Sequence, residues 1–386
     1  MSIDFHWFLP TYGDSRYIVS EVQDLPEGYA QGSRSATISY LGQIARASEQ
    51  LGFVGALTPS GAWCEDAWLT TAMLSQVTDN LKFLVAFRPG SISPTLAAQM
   101  ASTFQRHSNG RLLLNIVTGG EDHEQRSYGD FLSKDDRYRR TDEFLSITRS
   151  LWAGETVDFA GEFLSVEGAY LARLPDPAPP IYFGGSSDVA LTVAAKHADV
   201  YLTWGETPEQ VTEKITEVSA RAATVGRTVR FGIRLHVISR DTSDEAWAIT
   251  RQLLDVISPE EIERIQDGLS KSDSEGQRRM KALHQGSKDD LEIYPNLWAG
   301  VGLVRRGAGT ALVGSHVEVA DRIREYNALG ISEFVLSGHP HLEEAYWFAE
   351  GVLPLLEASG HWQRPTYTKF EPPARVSAPL VDSARR

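Results

Sequence analysis

Cysteine is nearly absent: Cys64 is the single one in 386 residues. An intrachain disulfide is therefore impossible, and so is any CxxC redox or zinc motif. Basic residues are also scarce, 37 against 51 acidic, for a net charge of −14. A chain this acidic lacks the basic face that nucleic acid or an anionic membrane requires. No apolar run approaches the ~20 residues of a membrane span. The opening residues Met1-Ser2-Ile3-Asp4-Phe5 carry neither a basic nor an apolar leader segment. These absences lead to the expectation of a reducing, cytoplasmic location. An anionic substrate would have to be held by a few locally placed Arg or His residues.

What is present is a regular alternation. Short β-branched or aromatic runs fall at 3–9, 53–57, 81–87, 111–117, 180–183, 199–203, 229–239 and 333–336. Helical patterns fall at about 36–51, 66–77, 94–108, 135–153, 187–197, 207–224, 243–257 and 316–328. Strand–helix alternation predicts a parallel sheet, and eight repeats predict closure into a (β/α)8 TIM barrel. Helix starts are signalled by Ser93-Pro94, by Thr207-Pro208 with Gln210, and by Ser315 with Glu318. Three stretches interrupt the pattern: a polar loop at 14–35, a hairpin-like stretch at 159–171 and an insertion at 258–313. One barrel domain is expected over 1–357, with 258–313 as an insertion carrying a mobile lid. Residues 358–386 are expected to form an extended tail, lying on a partner subunit.

In such a barrel the site lies where strands end, so those positions are the candidates. Tyr12, after strand 1, either donates into the pocket or packs on its rim. Cys64 reads as a small pocket-lining apolar group, because no nearby His is implied. Glu65 and Asp66 read as helix-terminus residues. The run Gly184-Gly185-Ser186-Ser187 leads from a strand into a helix. It is either a phosphate cradle or a capped tight turn. Arg234 and His236 are two apart on one strand, so both face one side. Buried there, they are costly unless an anion meets them. His339 and His341 follow strand 8, but no third ligand is visible at metal spacing, so no metal is expected. Arg305 and Arg306 sit in a Gly-rich stretch and form either an anion clamp or a solvated patch.

Longer stretches resemble a known family: Phe8-Leu9-Pro10-Thr11, Cys64-Glu65-Asp66-Ala67-Trp68, and residues 181–188, 201–206, 231–238, 296–314 and 341–346. The chain resembles the FMNH2-dependent alkanesulfonate monooxygenases, within the bacterial luciferase-like flavin barrels. The resemblance covers strand 1 to about residue 356. It implies an enzyme that takes FMNH2 from a separate NAD(P)H-dependent flavin reductase. With O2 it would cut the carbon–sulfur bond of an organosulfonate, releasing sulfite and an aldehyde. It also implies a homodimer or homotetramer.

Carried over residue by residue, Arg234, His236 and Arg305 match the sulfonate-binding and acid–base groups. Tyr12, Trp63, Trp204, Arg306, His339 and His341 are assigned to the substrate. Cys64, Ala86, Asn115, Thr118, Tyr138, Gly184, Gly185, Ser186 and Ser187 are assigned to the flavin. The chain departs from the family by having Tyr12 where His is usual and His339 where Tyr is usual. It also has Ala62-Trp63 in place of an Arg-containing pair before the cysteine motif. These departures imply a bulkier, polar sulfonate such as the sulfosugar sulfoquinovose, giving 6-oxo-glucose. Simple alkanesulfonates are the alternative. Rival readings are a non-catalytic flavin-binding barrel and a deazaflavin-dependent reductase.

Overall fold

The computed structural model describes residues 2–18, 33–270, 272 and 274–366. The strands, in chain order, are β1 (Asp4–Phe8), β2 (Gly55–Thr58), β3 (Lys82–Phe87), β4 (Leu112–Ile116), β5 (Val157–Ala160), β6 (Ser165–Ala169) and β7 (Ile181–Phe183). They continue with β8 (Val200–Trp204), β9 (Arg230–Arg240), β10 (Glu292–Tyr294), β11 (Leu297–Trp298), β12 (Ala311–Ser315) and β13 (Ile331–Ser337). The helices are α1 (Ile38–Leu51), α2 (Ala67–Leu74), α3 (Pro94–Ser108), α4 (Asp122–Ser127), α5 (Lys134–Trp152), α6 (Asp188–His197) and α7 (Pro208–Thr224). Then come α8 (Ser243–Asp255), α9 (Pro259–Leu269), α10 (Glu275–His284), α11 (His316–Ala328), α12 (His341–Gly351) and α13 (Leu353–Ala358).

Eight parallel strands close in the order β1-β2-β3-β4-β7-β8-β9-β13, with β13 returning to β1. All eight expected strands are the barrel staves, and the fold is the expected (β/α)8 barrel. Inside the bore Phe8, Leu57, Leu84, Leu113, Tyr182, Val200, Leu202 and Val335 pack together. Alternation along each strand sends the other face against the helices, in a larger core that includes Trp7, Phe53, Phe83, Phe144 and Phe348. Glu333 closes the lower bore, bonded by His6 at 3.1 Å and by the Tyr182 hydroxyl at 2.5 Å.

β9 is longer than its neighbours, and that length builds the mouth. Its first half pairs with β8, from Arg230 opposite Val200 to Arg234 opposite Trp204. Its second half pairs on the same edge with β12, from His236 opposite Ala311 to Arg240 opposite Ser315. The barrel wall is thus raised by a strand from the insertion. The Thr310 hydroxyl ties that strand to the Gly205 carbonyl at 2.7 Å.

The insertion is not one loop but α9, α10 and the small sheet β10–β11–β12. The hairpin expected near 159–171 is the antiparallel pair β5–β6. α12, missing from the expected helices, follows the last strand. Of the expected tail, 358–366 folds back onto its own barrel rather than away from it. The Ile3 N–H donates to the His361 carbonyl at 2.9 Å, and Trp362 is buried. The rest of the tail, and most of the 14–35 loop, lie outside the described residues. No helix among the described residues is long and apolar enough to cross a membrane.

Candidate functional site

Two adjoining regions occupy the C-terminal mouth. The first is a cleft of about 280 Å³ lined by Asn115, Thr118, Tyr138, the run 184–187, Trp63, Trp204 and Arg306, among others. The run 184–187 forms here because β7 must turn directly into α6. Ser187 caps that helix, its hydroxyl accepting from the Ala190 N–H at 3.4 Å. Gly185 sits at φ +152°, and a Cβ there would come within 2.9 Å of the Tyr138 hydroxyl and 2.8 Å of the Ala190 Cβ. Only glycine allows backbone so near those groups. Tyr138 lies beside Thr118 and Ser187, and burial raises its pKa. Hydroxyls and backbone thus converge at a helix N-terminus, an arrangement suited to a phosphate.

The second region is a cluster of cations and imidazoles. Arg234 projects inward from β9 over the Phe8 ring, 4.9 Å from its centroid. Its guanidinium bonds the Leu235 and Val335 carbonyls and the Ser337 hydroxyl, the last at 2.8 Å. Burial lowers its pKa to about 9, assisted by the nearby Arg305 charge. Arg305 lies over the Tyr12 ring at 5.0 Å and hydrogen-bonds its hydroxyl. Neither guanidinium has a carboxylate partner among the described residues. His236 and His339 stack with ring centroids 5.5 Å apart, and His339 meets His341 edge-on at 4.9 Å. Burial pushes all three imidazole pKa values down, and Arg234 and Arg305 push the same way. The imidazoles are therefore neutral at pH 7 and the cluster is cationic through its arginines.

The expectation that no third ligand would join His339 and His341 is corrected. Asp14 does so, with one donor atom from each residue within 4.8 Å of the others. Its carboxylate is already committed, however. It accepts from the His341 ring at 2.8 Å, the His341 N–H at 2.9 Å and the Tyr40 hydroxyl at 2.5 Å. Those bonds outweigh burial and hold its pKa low. With two guanidiniums beside it, the group is a poor place for a further cation.

The two regions meet through Trp63, whose ring lies 5.3 Å from that of Tyr12, and through the adjacent pair Arg305-Arg306. The insertion covers them. Gly276 of α10 lies against Trp204, and a Cβ there would be 2.9 Å from its ring. The Gln277 side chain accepts from the Gly307 N–H at 3.1 Å. Arg279 reaches fully buried Glu206 at 2.5 Å, and Lys214 meets the same carboxylate at 2.7 Å. This latch holds the lid to the end of β8.

Two expected flavin residues do not line the cleft. Ala86 is buried in β3 opposite Asn115. Cys64 is half-buried, and its thiol bonds the Gly61 carbonyl at 3.5 Å. Burial raises its pKa, which keeps it a thiol. Asp14, Glu206, Arg279 and Ser337 were not read as site residues from the sequence. Asp14 and Ser337 stood at strand ends and Glu206 in the stretch 201–206, whereas Arg279 carried no such signal.

The whole architecture is shared with solved structures, although sequence identity is low. A riboflavin lyase, RcaE, matches with a TM-score of 0.79 at 18% identity, over 96% of this chain and 94% of that one. DmoA from Hyphomicrobium sulfonivorans matches at 0.76 and 17%, over 95% and 90%. The EDTA monooxygenase EmoA from Chelativorans sp. BNC1 matches at 0.74 and 16%, over 96% and 97%. Residues 3–333 match the luciferase-like monooxygenase family, and the chain belongs to that family.

Proposed function

We propose that this enzyme is the oxygenating half of a two-component, FMNH2- and O2-dependent system that releases sulfite from an organosulfonate. The observation that carries this reading is the pair Arg234 and Arg305. Two guanidiniums without a carboxylate partner among the described residues face a pocket of neutral imidazoles. A tetrahedral anion that can accept several hydrogen bonds is the ligand such a pair fits. The family membership supplies the monooxygenase chemistry, and the structures of EmoA and DmoA are similar in fold.

The flavin phosphate would rest on Ser186, Ser187, Thr118 and Tyr138, at the cradle that a Cβ on Gly185 would fill. Reduced flavin bound there supplies two electrons and, with O2, the oxygen atom. The protein's part is to fix the sulfonate between Arg234 and Arg305 and to exclude water with α9 and α10. The net reaction converts R–CH2–SO3⁻, FMNH2 and O2 into R–CHO, SO3²⁻, FMN, H2O and H⁺.

The favoured substrate is a sulfosugar, sulfoquinovose. Trp63 is 47% exposed and turns an aromatic face to the cleft beside Tyr12, with Trp204 and Arg306 also lining it. Flat apolar faces among polar side chains suit a sugar ring better than an alkyl chain. The reductase is the electron-supplying partner. Leu69 and Met73, exposed one turn apart on α2, and Leu96 on α3 offer an apolar face for self-association into a dimer or tetramer. The absence of cysteine pairs fits a cytoplasmic location. Sulfite release from sulfoquinovose and from octanesulfonate, with a flavin reductase, tests the assignment. Release from octanesulfonate alone would replace the sulfosugar with a simple alkanesulfonate, and release from neither would end the sulfonate reading.

A further inference from the structure

We propose that His339, and not His236, is the imidazole that exchanges a proton with the substrate; this rests on the sulfonate reading above. Both ring nitrogens of His236 are committed. Its Nε2 lies 3.1 Å from the Ala308 carbonyl, which can only accept, so Nε2 carries the hydrogen. Its Nδ1 is then a lone pair, and the Ser337 hydroxyl donates to it at 2.8 Å. The Ser337 oxygen in turn accepts from Arg234 at 2.8 Å. Every bond in the chain Arg234–Ser337–His236–Ala308 has its direction fixed. His236 is a positioning residue that orients Ser337 and, through it, the Arg234 guanidinium.

His341 is held differently. Its Nδ1 donates to Asp14, and the residue is 1% exposed, behind His339. His339 is only partly buried, whereas His236 and His341 are buried. Neither of its nitrogens has a partner among the described residues, and Nε2 is also buried. A buried imidazole nitrogen without a hydrogen bond is costly in a folded chain, and a bound hydroxyl would satisfy it. The groups facing His339 are Arg234 and His236 of β9, Arg305 of the insertion, and His341 with Asp14 behind it. The cations and burial keep His339 neutral, with a lone pair ready to accept a proton.

The step this serves is the collapse of the hydroxysulfonate formed when oxygen enters the carbon next to sulfur. His339 takes the hydroxyl proton, the O–H electron pair becomes the carbonyl π bond, and the C–S pair leaves on sulfur. R–CH(OH)–SO3⁻ and neutral His339 become R–CHO, SO3²⁻ and protonated His339. Arg234 and Arg305 absorb the charge that accumulates on the departing sulfite.

The test compares the wild-type enzyme with His339→Asn, His339→Gln and His236→Asn. Sulfite release is followed against pH with a flavin reductase and the better sulfonate, and sulfite binding is followed by calorimetry. Both His339 variants should lose about 100-fold or more in kcat, keep KM within about threefold, and bind sulfite as the wild type does. Added imidazole should restore part of the rate. The wild-type kcat should fall on an acid limb below the ordinary imidazole range, and the His339 variants should lack that limb. His236→Asn should raise KM and retain the limb. An active wild type with His339 variants of unchanged kcat and limb would overturn this proposal alone, as would loss of the limb in His236→Asn. A wild type inactive on every sulfonate would overturn the sulfonate reading and this proposal with it.

Discussion

Glu206→Gln should be strongly destabilising. Glu206 is fully buried, and its carboxylate serves two cations at once, Lys214 at 2.7 Å and Arg279 at 2.5 and 3.1 Å. Lys214 is itself buried, and burial already lowers its pKa while Glu206 holds it up. Without the carboxylate the ammonium loses its counter-charge and keeps, among the described residues, the Thr203 hydroxyl at 3.2 Å and at most a neutral amide oxygen. Removing one partner of a buried pair costs about 3–5 kcal/mol. Arg279→Met makes the useful contrast. That guanidinium is 30% exposed and its loss leaves Glu206 paired with Lys214, so global stability should fall by about 1 kcal/mol or less. What should change is the lid, because Arg279 anchors α10 to the end of β8. Urea unfolding measures the first effect, and limited proteolysis within 258–290 measures the second. Glu206→Gln costing under about 1 kcal/mol, or an Arg279→Met lid cleaved no faster than wild type, would refute the latch.

Three further outcomes follow from the same geometry. His236, His339 and His341 have pKa values lowered by burial, so the folded chain stays unprotonated where the unfolded chain takes up protons, near pH 6.5. Stability should therefore be full above that pH and fall below it, by up to about 1.4 kcal/mol per pH unit for each imidazole; urea midpoints equal at pH 7.5 and 5.5 would contradict this. Arg305→Ala should abolish sulfite release and leave FMN affinity nearly intact, checked by assay and by flavin fluorescence. Gly185→Ala should weaken FMN binding by about tenfold or more, reflecting about 1–3 kcal/mol of strain and crowding at the cradle.

The barrel was legible because its strands are short β-branched runs and its helices announce themselves. Thr207 with Gln210 and Ser315 with Glu318 form the capping boxes their spacing promised. α12 escaped because Pro340 precedes it and makes no side-chain cap. β12 escaped because most of it lies in the Gly-rich stretch 300–314, and the β9 residues it pairs with lie about 75 positions earlier. The Arg234–His236 pair was visible from strand periodicity alone. The commitment of His236 was not, because it depends on Ser337 and Ala308, contributed by other segments. Asp14 and His341 are 327 residues apart, and local spacing cannot report such a contact. Cys64 and Ala86 were assigned to the flavin by resemblance, and neither is among the residues that line the cleft.

In the function proposed above, the Arg234–Arg305 pair binds a sulfonate whose carbon–sulfur bond is then cut. Sulfite measured during turnover with a flavin reductase, O2 and a panel of sulfonates tests it most directly. Sulfite should appear in proportion to O2 consumed, fastest with sulfoquinovose, and Arg305→Ala should release none. Oxygen consumption without sulfite from any sulfonate would contradict it.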